Sequence, residues 1–219
     1  MCNHSVSALN KVVRGSKRAT YEKDTVYQIL DDTFMCNIGY VWENNAIVIP
    51  TAYGRDKDII YIHGSLKNRM MRGILETGKV CLSITHLDGL VLARSAFHHS
   101  ANYRSVNVFG SVREVQDADE KMKALECIMN HMVAGHWESV RKPNKKEFDA
   151  TLVIAVTIDT ASAKIRAEGV IDEKSDMNSD YWAGVVPIKQ VAGRPESDEK
   201  LAEGIVIPDS VLTYVANNR

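Results

Sequence analysis

Apolar and polar positions along this chain change period several times, and the changes divide it into short elements. Val26, Ile29 and Leu30 recur at helical spacing behind Asp24, a candidate N-cap, which predicts a helix over 25–34. Residues 35–41 read as a strand, with Glu43-Asn44-Asn45 as the turn that follows. Two apolar runs, 46–51 and 59–63, flank the polar stretch Gly54-Arg55-Asp56-Lys57-Asp58, a hairpin signal. A helix over 66–76 is closed by Gly78 at its C-cap position. Next come a strand at 80–85, a tight turn at Asp88-Gly89 and more strand at 90–93.

Residues 94–102, RSAFHHSAN, have no regular period, whereas 103–115 is the longest strand candidate. Asp117 starts a helix over 118–133 whose apolar stripe is Met122, Leu125, Ile128, Met129 and Met132. A charged connector at 138–144 leads to a short helix at 145–150, a β-branched strand at 151–158 and a further strand at 162–168. Short apolar pieces at 182–186, 204–207 and 211–215 alternate with acidic turns in the tail. Residues 1–20 are polar and basic and read as a loose arm. Many strands without βαβ alternation favour an antiparallel barrel or sandwich with peripheral helices.

The 219 residues suffice for one domain, and 45% hydrophobic with 25% charged residues is ordinary for a globular chain. A formal net charge of −1 gives no global case for nucleic acid or an anionic membrane, so any basic site is local. Cys2, Cys36, Cys81 and Cys127 form no CxxC pair and read as reduced thiols. No secretory leader and no membrane-spanning run is expected, and the expected setting is the cytoplasm.

The candidate chemistry gathers after the second hairpin strand. Ser65, Lys67, Asn68 and Arg69 stand at a helix start, where a hydroxyl, backbone N–H groups and cations suit a phosphate monoester. Pro50 inside a strand marks an edge or a bulge, because proline removes a ladder donor. Such an edge offers backbone groups to a planar heterocycle. His63 is a candidate proton carrier. His98 and His99 are adjacent, so on a strand they point apart, and no histidine or cysteine spacing suggests a metal. There is no GxGxxG, P-loop or GxSxG pattern.

GYVWENNAIVIPTAYGRDKDIIYIHGSLKNRMMRGI, GLVLARSAFHHSANYRSVNVFGSVREV, ASAKIRAEGV and WAGVVPI together resemble the FMN-binding split-barrel superfamily. The resemblance spans about residues 14–215. It is greatest to the flavin-nucleotide-binding branch allied to pyridoxamine 5′-phosphate oxidase and to nitroimidazole-resistance proteins. It implies a mainly β chain with peripheral helices, a six-stranded antiparallel Greek-key split barrel in a single domain, 1–219, that 171–219 completes. It also implies a homodimer with FMN at the subunit interface. Val48, Pro50, Thr51 and Tyr53 would lie along the isoalloxazine edge. Ser65, Lys67 and Asn68 or Arg69 would hold the phosphate. Arg104, Ser105 and Val106 would reach the flavin from the partner subunit, and His63 would lie near the ring as the catalytic candidate.

The chain lacks the Arg-x-His segment and the terminal Arg-Leu-x-Pro of the oxidases, so the resemblance does not carry pyridoxamine 5′-phosphate over as its substrate. The expected function is a pyridoxamine 5′-phosphate oxidase-like, FMN-dependent oxidoreductase acting on an unidentified small molecule, with nitro-compound reduction a candidate reaction and NAD(P)H a candidate donor. Its alternatives are a non-catalytic FMN-binding module and a haem-binding protein with His98 or His99 as ligand.

Overall fold

The computed structural model describes residues 2–219. Along the chain come β1 (Ala19–Thr20), α1 (Lys23–Asp31), β2 (Met35–Trp42), β3 (Asn45–Asp56), β4 (Ile59–Ser65), α2 (Arg69–Thr77), β5 (Lys79–Leu92), β6 (Ser100–Glu114), α3 (Ala118–Met132), α4 (Lys145–Ala150), β7 (Thr151–Arg166), β8 (Gly184–Pro187) and α5 (Asp209–Asn217). The strands lie in the order β1-β7-β4-β3-β2-β5-β6, with β8 on β5 and an added β7–β6 pairing. The chain is mainly antiparallel β with helices around it, as the periodicity implies. The eight strands exceed the expected six because β1 and β8 are short additions of two and four residues.

Contacts divide the chain into two compact units. The first takes residues up to Ile29, Ser83–Val108 and Thr160–Lys189; the second takes Leu30–Leu82, Phe109–Asp159 and Gln190–Arg219.

In the first unit the N-terminal segment is packed, where a loose arm is expected. Asn10 is 2% exposed. Its amide donates to Thr160 Oγ1 at 2.5 Å and to the Ala161 carbonyl at 3.0 Å, and its oxygen accepts from the Ser7 N–H at 2.7 Å. One fully bonded side chain thus ties a polar segment to β7, an anchor that hydropathy does not register. Asp88-Gly89 is not a turn. β5 runs straight through it, and Gly89 pairs with Pro187 of β8, where an added Cβ would stand 3.1 Å from the Val186 carbonyl. The glycine permits a close strand approach rather than a reversal. The expected break between strands 151–158 and 162–168 is also absent, because Ala161, Ser162 and Ala163 are all buried within one strand, β7. The tail is fastened at Asp172, which takes Arg94 Nη1 at 2.8 Å and the Arg94 N–H at 3.0 Å.

In the second unit β2 and β3 are joined through Glu43 and Asn44, both left-handed (φ 48° and 62°), the geometry of a two-residue hairpin turn. β3 then extends to Asp56, so Gly54 and Arg55 belong to the strand and the turn is Lys57-Asp58 alone. Gly54 has another reason: a Cβ there would stand 2.6 Å from Ile128 N, because the backbone of α3 lies against the strand. Ala124 and Ile128 of α3 form a core with Tyr61, Val115, Val153 and Ala155. α1 ends at Asp31 rather than 34, with Asp24 inside its first turn rather than at its cap. The Tyr53 hydroxyl donates to the Leu30 carbonyl at 2.5 Å, and Tyr53 N donates to Phe34 O, so the chain has already entered the sheet.

α2 starts at Arg69, later than 66, with Asn68 as its cap, and closes at Gly78 (φ 67°) as expected. α3 starts behind Asp117 and α4 spans the expected residues with a full capping box at Asn144 and Glu147. The apolar piece 211–215 lies inside α5.

Gly54→Ala is expected to lower the unfolding free energy by about 1–3 kcal/mol, the scale of overpacking a tight contact. Urea titration should show a lower midpoint with an unchanged m-value.

Candidate functional site

The second unit contains a parted hairpin. β3 and β4 are in register from Asp56–Ile59 to Tyr53–Ile62, and the register stops there. β3 continues on β2 alone as far as Asn45, while β4 continues on β7 alone through His63–Val153, Gly64–Leu152 and Ser65–Thr151. Among the described residues no strand fills the gap. Tyr53 N donates towards β2, to Phe34 O. Backbone groups alternate along an antiparallel ladder, so those of Val48 and Pro50 turn to the open side. Pro50 therefore costs the β2 ladder nothing. Its missing N–H falls on the unpaired edge, which explains how a proline sits inside this strand.

The far end of the gap is cationic. Asn68 N donates to Ser65 O at 2.9 Å, closing a turn, and Lys67 N donates to Ser65 Oγ at 3.3 Å. Asn68 Oδ1 accepts from Met71 N at 3.3 Å, which caps α2. No acidic residue occupies the first turn of α2, and the amides of Arg69 and Met70 have no intrahelical acceptor. Arg72 Nε donates to the Leu66 carbonyl at 2.9 Å, bracing the turn, and the Arg69 guanidinium lies 5.8 Å over the Trp42 ring. Lys67 is exposed with no acidic partner among the described residues. Thr51 Oγ1 approaches Met70 Sδ at 3.6 Å, so β3 and the first turn of α2 adjoin. A ribityl phosphate fits this chemistry: unengaged amides, a hydroxyl and cations, with no carboxylate opposing them.

The remaining site residues are placed as follows. Val48 and Pro50 are exposed and Thr51 half-buried. Tyr53 is 0% exposed, its hydroxyl is engaged by the Leu30 carbonyl and its N–H by Phe34 O, so, contrary to the sequence expectation, its donors are turned away from the open edge. His63 and Ser65 are exposed at the end of β4. In the first unit, Arg104 is held by Asp88 through Nε and Nη2 at 3.1 Å each. Ser105 Oγ donates to Lys164 O at 3.2 Å, and Val106 is fully buried. His98 Nε2 lies 3.5 Å from Glu173 Oε1, and His99 Nδ1 bonds Ser95 O at 3.0 Å.

The sequence reading passes over Arg72 as a brace and Trp42 as a rest for Arg69. The spacing of Arg69 and Arg72 along one helix was the available signal. A separate cavity of about 340 Å³ is lined by Arg55, Tyr61, Glu120, Lys123 and Cys127, and by none of the candidate site residues. Burial pushes the Cys127 thiol up to about 11, so it is no nucleophile.

Desolvation of the His63 ring, although the residue as a whole is exposed, lowers its pKa below the ordinary 6.5. The unfolded chain therefore binds more protons than the folded one between the two values. The stabilisation is complete above 6.5 and is lost as pH falls from there towards the folded value. Proton NMR of the native protein should place the His63 midpoint below 6.5. His63→Gln should reduce the fall in unfolding free energy across that window.

No functionally curated protein matches the sequence. The pyridoxamine 5′-phosphate oxidase family model matches residues 22–165. The flavocytochrome Anf3 from Azotobacter vinelandii is 34% identical over 95% of this chain and 97% of its own, with a TM-score of 0.89. A FAD and haem binding protein from Mycobacterium smegmatis is 30% identical over 90% of this chain and 97% of its own, with a TM-score of 0.86. A proposed 5-nitroimidazole antibiotic resistance protein from Bacteroides thetaiotaomicron, 22% identical over 67% of this chain and 86% of its own with a TM-score of 0.59, shares the fold. The antiparallel strand ring with its surrounding helices is thus the split-barrel fold of these neighbours, and the chain belongs to the pyridoxamine 5′-phosphate oxidase family.

Proposed function

We propose that this protein binds a flavin nucleotide in the parted β3–β4 hairpin and works as an electron-transferring oxidoreductase of the flavocytochrome kind. The observation that carries the reading is an unpaired strand edge that ends at a cation-rich helix start. Two proteins similar to the chain over nearly its whole length support it, one a flavocytochrome and one named for FAD and haem. The flavin class is argued from the phosphate that FMN and FAD share. FMN follows from the sequence resemblance, whereas FAD follows from the Mycobacterium neighbour.

A bound flavin supplies one- and two-electron redox chemistry. The chain's own residues hold and orient it. The α2 amides, Ser65 Oγ and Lys67 take the phosphate, and Arg69 and Arg72 raise the local positive potential. Val48 and Pro50 present backbone groups to the ring rim. His63, neutral near pH 7, is the available proton acceptor at the open end of β4. The homodimer remains a proposal. Leu90 of β5 and Val186 of β8 are directly paired and 41% and 42% exposed, an apolar patch that a second copy would cover.

The absorbance spectrum of the purified protein is the test. Flavin bands are expected, and mass analysis of the released chromophore separates FMN from FAD. A colourless protein that gains no flavin absorbance on addition of either nucleotide overturns the reading. Lys67→Ala is expected to weaken flavin binding by about 1.5–3 kcal/mol, the scale of a charged hydrogen bond. Titration by flavin fluorescence quenching measures it. Light scattering at micromolar concentration should return twice the chain mass.

A further inference from the structure

Residues 1–21 contain four cations, Lys11, Arg14, Lys17 and Arg18, and no Asp or Glu. Of the 27 cations and 28 acids in the chain, the other residues therefore hold 23 and 28, so a net charge of −1 conceals a basic segment on an acidic body. The segment is fastened to the first unit. His4 N donates to Tyr21 O at 2.8 Å, Lys23 N to Cys2 O at 3.0 Å and Val12 N to the Tyr21 hydroxyl at 3.0 Å. Asn10 is fixed to β7 as above, and β1 pairs Ala19 with Lys164 and Thr20 with Ala163.

Between these anchors the side chains face water. Lys11, Arg14 and Lys17 are exposed, with no acidic partner among the described residues, whereas Arg18 Nη2 is taken by Glu168 at 2.6 Å. Lys164 adds a further cation: its Nζ lies 3.3 Å from where a Cβ of Gly15 would stand. Gly15, at φ 70°, lets that ammonium rest on the loop backbone. Val6, Leu9 and Val13 of the same segment are 56%, 62% and 80% exposed. Aliphatic tips among unpaired cations have the anatomy of a docking patch, an apolar centre inside a polar rim. Because folding already orders the segment, association need not.

Charge selects the occupant. A compact acidic protein matches a patch of this extent, whereas a duplex or a membrane surface reaches past it to the acidic remainder of the chain. The patch also has a redox neighbour. Lys164 O accepts from Ser105 Oγ at 3.2 Å, and Arg18 adjoins Tyr103 at the head of β6. It thus stands one strand from Arg104, Ser105 and Val106, the residues that the sequence resemblance carries to the flavin of a partner subunit.

We propose that residues 6–18, with Lys164, are the docking platform for a small acidic electron-carrier protein, a step that rests on the flavin oxidoreductase reading above. In each encounter one electron leaves the reduced iron–sulfur or flavin centre of the carrier and enters the flavin held by this chain. The carrier is oxidised, the flavin is reduced, and no bond between the proteins is made or broken. Such encounters bury less than about 1,200 Å², so charge steering rather than buried area sets their rate.

The test uses flavin-loaded full-length protein with two purified probes, an acidic [2Fe–2S] ferredoxin and an acidic flavodoxin. Calorimetry reads binding of the oxidised carriers, and stopped-flow absorbance reads flavin reduction by the reduced ones. At least one carrier should bind saturably, and its rate should fall at least about tenfold between about 50 and 500 mM salt. Arg14→Glu combined with Lys17→Glu should be at least about tenfold slower at the low salt and match the wild type at the high salt. Its flavin content, circular dichroism and reduction by dithionite are expected to be unchanged. Val13→Asp should weaken binding at both salts. Lys200→Glu, an exposed lysine of the second unit, should match the wild type. A flavin-loaded chain that neither binds nor takes electrons from either carrier overturns this inference and leaves the flavin reading standing. A chain that takes up no flavin overturns both. An equal loss in Lys200→Glu assigns the effect to net charge and overturns the platform. Tighter binding to phosphatidylglycerol vesicles or duplex DNA than to either carrier, lost in the double variant, overturns the carrier as occupant. Conversion of a dimer to a monomer by Val13→Asp assigns the patch to a second copy and overturns it likewise.

Discussion

The second unit depends on one enforced separation: β3 and β4 part beyond Tyr53–Ile62. The two strands are held together near their turn, where the backbone of α3 lies on Gly54 and the Tyr61 core closes beneath it. They are held to different neighbours beyond that point, β3 by its ladder to β2 and β4 by its ladder to β7. Tyr53 marks the fork: its ring is wholly buried and its hydroxyl is fixed to the end of α1. A sheet that parts under such constraints retains a slot while each strand keeps a ladder to its other neighbour.

The slot acquires chemical character from what borders it. At one end the helix start supplies amides and cations with no acid in its first turn. Along the strand the border is backbone, and outside it is a plate of small and aliphatic side chains. These three surfaces favour an anion, a hydrogen-bonding rim and an apolar face respectively. The cavity under α3 has acids and bases intermixed and shows no such sorting.

Where information was local, the sequence made the structure legible. α4, the Asp117 cap, the Gly78 stop and the Ser65–Arg69 run all depend on neighbours within a few positions. Features that depend on distant segments were not legible. Asp88-Gly89 has turn composition, but β8 needs the glycine for a close approach. Gly54 likewise reads as part of a turn, whereas helix α3, more than sixty residues on, determines it. Asn10 sits in a polar segment whose anchor is on β7. In the candidate site, the contiguous phosphate residues and the edge proline could be read in advance. The burial of Tyr53 and the exposed side of β2–β3 could not, because a one-residue choice of strand face decides both.

Pro50 gives the open edge a polarity. Val48 offers it a donor and an acceptor, but Pro50 offers an acceptor alone. A strand laid into the slot would bring a carbonyl with nothing to receive at that position, so the slot resists extension of the sheet by another chain. A ring system that places an N–H opposite Pro50 and an acceptor opposite Val48 meets both groups. One imino acid therefore sorts occupants by the order of donors and acceptors along their rim, before size or charge is consulted.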